Sequence, residues 1–353
     1  MGSSLQQQQM ASGGVFEANH VPVPMTFGND IAAYEAAMTG VALCDRSHWG
    51  RLRISDSDRL RFLHNQTTNE VQQLQPGQGC DSVFVTSTAR TLDLATVYVD
   101  DDSVLLFVSP GQAFVLSQWM DRYIFFSDKV QIADETETTI AFTLLGPDSL
   151  PLLSRLGVEA LDTTADGRHQ QVSLQGIETF VAIGSGLALP GFTLIAAAES
   201  GAALWQCLLE AGAVPLGEQV WQQLRIEQGR PMPGLELTED YNPLEAALWQ
   251  AVSFEKGCYI GQETIARLNT YQGVKQQLWG LSLSSPVEPG ASVMVEDSKV
   301  GVLTSCVQTP TGIRGLGYVR TKAGGKGLMV KVGDATAEVV EIPFATRGYL
   351  GES

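Results

Sequence analysis

The segment KGCYIGQE at residues 256–263 holds the residue types in this chain that are best suited to chemistry. Lys256 stands two residues before Cys258, and a nearby cation lowers the pKa of a thiol and favours the nucleophilic thiolate. The sulfur could also ligate a metal, or it could be buried in a tight structural turn. No histidine is adjacent in sequence to act as a base, although the fold could bring one to the thiol. The residues alone leave these interpretations open.

The other residues of this segment could shape a binding loop. Gly257 and Gly261 would let the backbone turn sharply and approach a ligand closely. Gln262 and Glu263 stand where a helix would begin, and a carboxylate in the first turn suits the positive end of the helix dipole. Glu263 could equally face a ligand.

Residues elsewhere are candidates for binding a flat or anionic ligand. Arg225 lies in the helical pattern EQVWQQLRIEQG and could hold a carboxylate through two parallel hydrogen bonds, or it could be exposed. Trp49 in DRSHWG could stack on a flat ring or belong to the core. His48 could be a base or a structural residue. Asp93 and Tyr98 share a strand, and their odd separation places them on opposite faces.

The size and charge of the chain limit its class. Its 353 residues are too many for one ordinary core and predict two or three domains. The 39 acidic and 22 basic residues give a formal charge of -17. Proteins that bind nucleic acid or an anionic membrane surface need a basic face. Neither is therefore expected as a partner.

The cysteines and histidines argue against disulfides and zinc. The five cysteines form no CxxC pair, which fits a reducing compartment. The four histidines lack HxH or HxxxH spacing, so no metal site is predicted. No apolar run approaches the ~20 residues of a membrane helix, and the opening MGSSLQQQQM has no secretory pattern. We expect a cytoplasmic protein with a flexible, Gln-rich lead-in at residues 1–20, and a processed chain of the plastid stroma is the alternative.

Strand and helix patterns alternate through the first 216 residues. Asn29 could cap a helix that carries Ile31, Tyr34 and Met38. Ser109-Pro110 and Ser200 open two further helices. Strands are predicted at 82–86, 92–99, 103–108, 138–146, 179–184 and 192–198. This mixture predicts the α+β class.

The rest of the chain changes from helical to β character. NPLEAALW is predicted to be a helix, because Asn242, Pro243 and Glu245 resemble a capping box. QETIARLN could form one more short helix. From about residue 278, short strands separated by turn signals predict a small C-terminal barrel or sandwich. Neither a dinucleotide-binding fingerprint nor a P-loop is present in the sequence.

Together these motifs resemble those of the folate-binding YgfZ family, which is related to the T-protein (aminomethyltransferase) of the glycine cleavage system. KGCYIGQE is similar to the YgfZ signature almost letter for letter. DRSHWGRLRISDSDRLRFL is similar to the T-protein segment that begins Asp-Val-Ser-His-Met-Gly. GEQVWQQLRIEQGRP and NPLEA resemble the superfamily's helix and its Pro-Leu-Glu-Ala element. Only about the first 20 residues fall outside the resemblance.

The resemblance implies an α+β fold of two ferredoxin-like lobes around a central folate site, followed by a small β-barrel. The folate-binding region would span residues 21–275. Its lobes would be about 21–130 with 217–275, and 131–216. The barrel would span residues 276–353.

The resemblance also implies a cofactor and a role. The cofactor is tetrahydrofolate or a one-carbon-substituted folate, and the role is assembly or repair of iron–sulfur clusters. The expected partners are iron–sulfur client proteins or assembly factors. Cys258 and Lys256 become the expected catalytic residues. The expected folate-binding residues are Trp49, Tyr98, Arg225, Gly257, Tyr259, Gly261, Gln262 and Glu263.

Two departures from the T-protein pattern bear on activity. The T-protein strand carries an Asp-Asp pair, whereas LDLATVY places Leu94 where we take the catalytic Asp to be. Leucine has no atom that can hold or move a proton, so loss of methylene transfer is expected. A shift of one residue in the alignment would return that role to Asp93. Leu189 and Pro190 replace a Gly-Glu element whose Glu we expect to read the pterin.

Three alternatives remain open from the sequence. The chain could be a true aminomethyltransferase that forms methylenetetrahydrofolate. It could be a folate-dependent demethylase relative for sarcosine-like substrates, although such enzymes usually work beside a flavin domain. It could also be a non-catalytic folate-binding scaffold with a vestigial pocket.

Overall fold

The computed structural model describes residues 4–17, 22–158 and 165–351. The chain divides into two compact units. The first comprises Met1–Phe62, Val71–Cys80 and Ala95–Trp221, and the second comprises Leu63–Glu70, Asp81–Leu94 and Gln222–Ser353. The expected lobes, at about 21–130 with 217–275 and at 131–216, and the barrel span 276–353 stay predictions.

Helices and strands alternate through the described residues. The α-helices are α1 (Ser4–Ala11), α2 (Asp30–Thr39), α3 (Arg59–Gln66), α4 (Gln112–Asp121), α5 (Ser149–Arg155), α6 (Gly201–Glu210), α7 (Glu218–Gln228) and α8 (Gln262–Thr270). The strands are β1 (Ala42–Asp45), β2 (Gly50–Ser55), β3 (Gln78–Val85), β4 (Thr91–Val99), β5 (Ser103–Val108), β6 (Gln131–Asp134), β7 (Thr139–Leu145), β8 (His169–Leu174), β9 (Ile177–Ile183), β10 (Gly191–Ala197), β11 (Val214–Leu216), β12 (Gln276–Leu283), β13 (Ser292–Val295), β14 (Ser298–Thr309), β15 (Gly312–Arg320), β16 (Met329–Val332) and β17 (Ala335–Val340). Short 3₁₀ turns lie at Ala198–Ser200, Trp249–Ala251, Thr321–Ala323 and Gly348–Leu350.

A six-stranded sheet in the first unit has the order β11-β1-β7-β10-β9-β8. Its β1–β11 pair is parallel, and the other pairs are antiparallel. Phe142 and Leu194 on this sheet share a buried cluster with Leu152 of α5 and Leu204 of α6. Six of the seven residues of β7 are buried. A strand buried on both faces is an uninterrupted apolar run, which explains why its sequence was recognisable.

A five-stranded sheet has the order β3-β4-β5-β2-β6. Every residue of β5 is buried, and the strand pairs antiparallel with both β2 and β4. Tyr98 of β4 lies opposite Leu105 of β5. The strands predicted at 82–86, 92–99 and 103–108 are therefore confirmed.

The C-terminal strands close into a six-stranded barrel in the order β12-β15-β14-β13-β16-β17. Its interior is apolar and includes Leu281, Leu303, Val319 and Val339. Closure pairs every strand with two neighbours, so no edge is left open for pairing with another chain. The predicted small β-barrel is confirmed.

Helix α2 forms at the predicted place, and its buried face differs in part from the predicted one. It begins directly after Asn29, whose side chain makes no capping hydrogen bond. Ile31 is 67% exposed, whereas Ala33 and Ala37 are fully buried. Tyr34 is buried as well, whereas Met38 is exposed. The apolar periodicity therefore placed the helix correctly, and Tyr34 is the one of its three named residues that packs.

The expected flexible lead-in is corrected for residues 4–11, which form α1. Leu5 joins the buried cluster of the six-stranded sheet. The Gln9 amide is buried and donates to the Asp45 carboxylate at 2.6 Å. A glutamine-rich segment is therefore ordered by one apolar and one polar contact that its composition does not reveal. Residues 1–3 and 18–20 of the expected lead-in lie outside the described residues.

The helix predicted for NPLEAALW does not form, although its capping box does. The Asn242 side chain accepts hydrogen bonds from the backbone N–H groups of Leu244 and Glu245, and the Glu245 carboxylate accepts from the Asn242 N–H. Ala247 then adopts φ 57°, a left-handed conformation that ends any helix. The Glu245 carbonyl instead accepts from the Leu278 N–H at 2.8 Å. A long-range backbone bond thus overrides the local helix signal.

Candidate functional site

Cys258 lies on an exposed loop between the 3₁₀ turn Trp249–Ala251 and helix α8. All five cysteines are among the described residues, and Cys258 is the only one of them that is exposed. Burial raises the pKa of Cys44 well above its usual value, with the Glu218 carboxylate adding to the effect. Reactivity requires access, so Cys258 is the cysteine best placed to meet a reagent or a partner.

Lys256 anchors the loop that carries Cys258, because its buried ammonium group donates to backbone carbonyls of residues 64–69. Its ammonium group is buried and donates to the backbone carbonyls of His64, Thr67 and Asn69 at 2.6, 2.7 and 2.6 Å. The same nitrogen lies 4.8 Å from the centre of the Tyr259 ring. An ammonium group has three N–H donors, and three carbonyls receive them. The structure therefore gives Lys256 a positioning role that the sequence did not suggest.

An imidazole–carboxylate pair lies against the same loop. His64 Nδ1 is 3.0 Å from Glu70 Oε1. The other ring nitrogen, Nε2, lies 3.3 Å from where a Cβ on Gly257 would stand. Burial lowers the pKa of His64, the Lys256 cation lowers it further, and Glu70 acts in the opposite direction. A carboxylate on one ring nitrogen fixes the orientation of the imidazole and leaves the other nitrogen towards the loop.

Gly261 is the N-cap of α8 and has φ 82°. A Cβ at this position would lie 2.8 Å from the Thr86 carbonyl oxygen. Both the backbone conformation and the close approach therefore require glycine. The short helix predicted for QETIARLN is confirmed as α8, with Gln262 half-buried and Glu263 exposed in its first turn.

Tyr259 faces the interior beside this loop. It is 8% exposed and packs in a cluster with Trp249 and Ile265. Burial raises the pKa of Tyr259 to about 12. The side chain is therefore a neutral core residue at physiological pH, with its ring close to the Lys256 ammonium.

Arg225 is buried in the second unit in an ion pair. Its Nη1 lies 3.0 Å from Glu236 Oε2, and its Nε donates to Gln222 at 2.7 Å. Its Nη2 donates to Ser305. The guanidinium is 2% exposed. It thus already holds a carboxylate, and that carboxylate belongs to this chain.

Trp49 is buried in the first unit with its ring covered. The Arg46 guanidinium carbon lies 3.4 Å from the ring centre. Phe107 stacks on the same indole with centroids 5.3 Å apart, and Trp221 meets it edge-on. Trp49 is 1% exposed. In this unit it is a core residue stacked with a cation.

Tyr98 is also buried in the first unit. Its ring meets His169 and Phe180 edge-on, with centroids 5.4 and 5.2 Å apart. His169 in turn lies 3.5 Å from Asp100. Tyr98 therefore packs in an aromatic cluster that the sequence did not reveal.

Asp93 and Leu94 are both fully buried on β4 in the second unit. Leu94 packs with Val83, Val85 and other apolar side chains in one cluster. The Asp93 carboxylate accepts a hydrogen bond from the Leu94 backbone N–H at 2.8 Å. The leucine at the expected catalytic position is thus part of the core.

The segment that stands in place of the T-protein Gly-Glu element lines a cavity of about 330 Å³ in the first unit. Leu189 and Pro190 belong to its wall, and Asp166 supplies a carboxylate.

Among the described residues, no cluster of histidine, cysteine and acidic side chains could hold a metal ion. Within that same part of the chain, no helix is long and apolar enough to cross a membrane.

This architecture is the T-protein fold. The structure superposes on the crystal structure of the glycine cleavage system aminomethyltransferase T from Bartonella henselae with a TM-score of 0.84, 21% identity and 98% coverage of both chains. The predicted T-protein-like fold is therefore confirmed.

Sequence relatives place the chain within a family. The model of the GCVT N-terminal domain matches residues 5–256. A protein of Arabidopsis thaliana, named as a chloroplastic transferase, is 45% identical over 92% of this chain and 76% of its own length. An aminomethyltransferase of Halalkalibacterium halodurans is 29% identical over 95% of each chain. The chain belongs to the GCVT N-terminal domain family.

Sequence reasoning missed His64 and Glu70 as neighbours of the cysteine loop. The two residues stand in LHNQTTNE, six positions apart and nearly 200 positions before Cys258 in the chain. The available signal was a histidine followed by a carboxylate in a polar stretch. Without the fold, nothing linked that stretch to KGCYIGQE.

Proposed function

We propose that this protein binds tetrahydrofolate and acts in the assembly or repair of iron–sulfur clusters in client enzymes, as a YgfZ-type member of its family. The observation that carries the proposal is the exposed Cys258, presented on a loop that Lys256 anchors through three carbonyls. A loop held this firmly from within suits a thiol that must be presented to a partner. A cysteine thiolate is a soft ligand suited to iron–sulfur clusters and is also a nucleophile.

His64 is the group we assign to take the thiol proton. Its Nε2 faces Gly257, the residue next to Cys258, and Glu70 holds its Nδ1. Glu70 orients the ring and opposes the lowering of the His64 pKa by burial and by Lys256. Lys256 then acts by holding the carbonyls of the segment that carries His64.

The expected folate contacts do not fit the ligand in the form that the resemblance implies. Trp49 is buried beneath Arg46 and Phe107, so its ring offers no surface for stacking a pterin. The Arg225 guanidinium is neutralised by Glu236. We therefore derive no chemical step through folate. Its binding is supported by family membership alone.

Aminomethyl transfer is the alternative function, and Leu94 is the residue that weighs against it. Leu94 is fully buried among apolar side chains and has no atom that can hold a proton. In a Leu94→Asp variant, a buried carboxylate without a prepared partner should lower the free energy of unfolding by about 3 kcal/mol or more. Leu94→Met should cost less than about 1.5 kcal/mol.

Activity assays of the same two variants test the alternative function. Formation of methylenetetrahydrofolate from an aminomethyl-lipoyl carrier protein should be absent in the wild type and in both variants. Turnover by the wild-type chain that is lost on Asp93→Ala would instead support the aminomethyltransferase.

The plastid stroma is the place of action that we favour over the cytoplasm. The support is the chloroplast assignment of the Arabidopsis relative. Client iron–sulfur proteins or assembly factors are the proposed partners. A surface with formal charge -17 would repel other acidic proteins, which favours partners that present basic residues.

Titration with tetrahydrofolate tests the folate half of the proposal. Quenching of intrinsic tryptophan fluorescence should be saturable with a micromolar dissociation constant. Absence of binding up to millimolar ligand would reject it and leave a folate-independent scaffold. Formation of methylenetetrahydrofolate by the wild type would instead support the aminomethyltransferase, whichever result the folate titration gives.

A further inference from the structure

A second concave site lies at one end of the C-terminal barrel, apart from the cysteine loop in sequence. Its volume is about 400 Å³. The polar side chains in its wall are Gln277, Thr321, Lys326, Glu341 and Arg347, and Trp279 supplies an aromatic surface. The Thr321 hydroxyl already donates to the Val274 carbonyl. A volume of several hundred Å³ is in the range of small-molecule pockets.

Arg347 is the central charged group of this site. It is 7% exposed, and its guanidinium carbon lies 3.5 Å from the centre of the Trp279 ring. Nη1 donates to Gln277 Oε1 and to the Leu278 carbonyl, and Nε donates to Glu341 at 3.2 Å. Nη2 has no hydrogen-bond partner among the described residues. A buried guanidinium with unused donors is costly unless a ligand satisfies them.

Gln277 supplies a second unused donor. The residue is 2% exposed, and its Oε1 accepts from Arg347 Nη1 at 3.2 Å. That bond assigns the other amide atom as Nε2, which carries two N–H groups. Nε2 is buried and has no partner in the described part of the chain. Two neighbouring donors without acceptors point to an acceptor-only ligand group.

A glycine-rich loop brings a second cationic group, Lys326, to the cavity. Lys326 follows Gly324 and Gly325, and Gly324 has φ 124°. A Cβ on Gly325 would lie 2.8 Å from Trp279 Cζ2, so only glycine lets the loop approach the indole this closely. Lys326 is exposed at the wall of the cavity.

The local charge favours an anion in a protein that is otherwise strongly acidic. Lys326 and Arg347 contribute two positive charges to the wall, and Glu341 contributes one negative charge. Charged donors form the strongest hydrogen bonds with carboxylate and phosphate oxygens, and arginine suits both.

We propose that this barrel cavity binds a small molecule through an oxyanion group, a phosphate or a carboxylate, held by Arg347, Gln277 and Lys326. The volume exceeds that of a bare ion, so the remainder of the molecule would occupy the rest of the cavity beside Trp279. The site does not depend on the function assigned to Cys258.

Isothermal titration of the full chain with inorganic phosphate and with glutarate tests the proposal. At least one probe should bind the wild type at one site with a dissociation constant of about 1 mM or tighter. At least tenfold tighter binding of phosphate assigns a phosphoryl ligand, and the reverse assigns a carboxylate ligand. Similar affinities support a general oxyanion site.

Three variants locate the binding. Gln277→Glu keeps the acceptor for Arg347 but replaces the free donor with an oxygen, so it should abolish binding. Lys326→Ala should weaken binding about tenfold, because it removes one charge-assisted contact. Lys322→Ala removes an exposed lysine of the adjacent 3₁₀ turn outside the wall, and it should bind like the wild type. Absence of binding to the wild type, or unchanged binding by both Gln277→Glu and Lys326→Ala, would overturn the proposal.

Discussion

At the scale of single residues, Lys256 is a buried cation whose donors all serve the backbone. Its ammonium group joins three carbonyls of the segment 64–69 to the cysteine loop. Hydrogen bonds to charged groups are stronger than neutral ones, and buried carbonyls left without donors are costly. The stability of this region should therefore depend on one side chain.

Lys256→Met tests that dependence, because methionine keeps most of the apolar stem and lacks the ammonium group. The free energy of unfolding, measured with urea, should fall by about 2–4 kcal/mol. Lys322→Met, at an exposed lysine, should change it by less than about 0.5 kcal/mol. Equal stability of the two variants would show that the three carbonyl contacts contribute nothing.

His48 predicts a pH dependence of stability. Burial lowers its pKa to about 3, and the Arg46 and Arg51 cations contribute to the shift. Glu218 Oε2 lies 3.7 Å from His48 Nε2. In the unfolded chain, histidine has a pKa of about 6.5. The unfolded state therefore binds the proton first as pH falls, and stability decreases from pH 6.5 towards pH 3.

Comparison of the wild type with His48→Gln isolates this contribution. The His48 contribution to unfolding free energy should fall by about 2 kcal/mol between pH 7 and pH 5. The variant should lack that part of the dependence and keep the part due to carboxylates. A parallel pH dependence for the two proteins would mean that His48 titrates normally in the folded state.

At the scale of elements, the junction between the cysteine loop and α8 depends on Gly261. Gly261→Ala would combine a left-handed backbone with a contact at 2.8 Å to the Thr86 carbonyl. Gly234 is a matched control, because it has φ 78° and nothing within 4 Å of its would-be Cβ. The two variants share the backbone strain and differ in the steric clash.

Gly234→Ala should lower the free energy of unfolding by about 1 kcal/mol, and Gly261→Ala should lower it by at least about 2 kcal/mol. Only Gly261→Ala should change the rate at which a thiol reagent labels Cys258, because only that clash moves the loop. Identical labelling rates in the wild type and both variants would contradict this coupling.

Elements that bury both faces could be predicted from the sequence. Strands β5 and β7 are apolar runs bounded by turns, and the barrel strands recur at short, regular intervals. NPLEAALW misled the prediction, because its local capping bonds form while Ala247 turns the chain away. Local signals cannot reveal a competing backbone bond from a strand far along the sequence.

The environment of the site was less predictable than its residues. KGCYIGQE drew attention to Cys258, but the partners of Lys256 are more than 180 positions away. Arg225 and Trp49 have residue types suited to a ligand, and the structure buries both among groups of this chain. Residue type indicates what a side chain can do, whereas the fold determines what is left for it to bind.

At the scale of the whole molecule, the chain combines an aminomethyltransferase fold with an altered set of reactive groups. The barrel and sheets are those expected of the family, whereas Leu94 fills the core position of the expected catalytic carboxylate. We propose that the exposed Cys258, with His64 facing the same loop, supplies a different chemistry. The fold is thus consistent with a family member that works through a thiol.

Rescue of iron–sulfur enzyme activity in cells that lack this protein tests the central claim most directly. Wild type, Cys258→Ser and Cys80→Ser would be expressed at equal levels, with Cys80 as a half-buried control thiol. The activity of cluster-containing enzymes should be restored by the wild type and by Cys80→Ser, and it should remain low with Cys258→Ser. Full rescue by Cys258→Ser, or normal cluster-enzyme activity without the protein, would contradict the account.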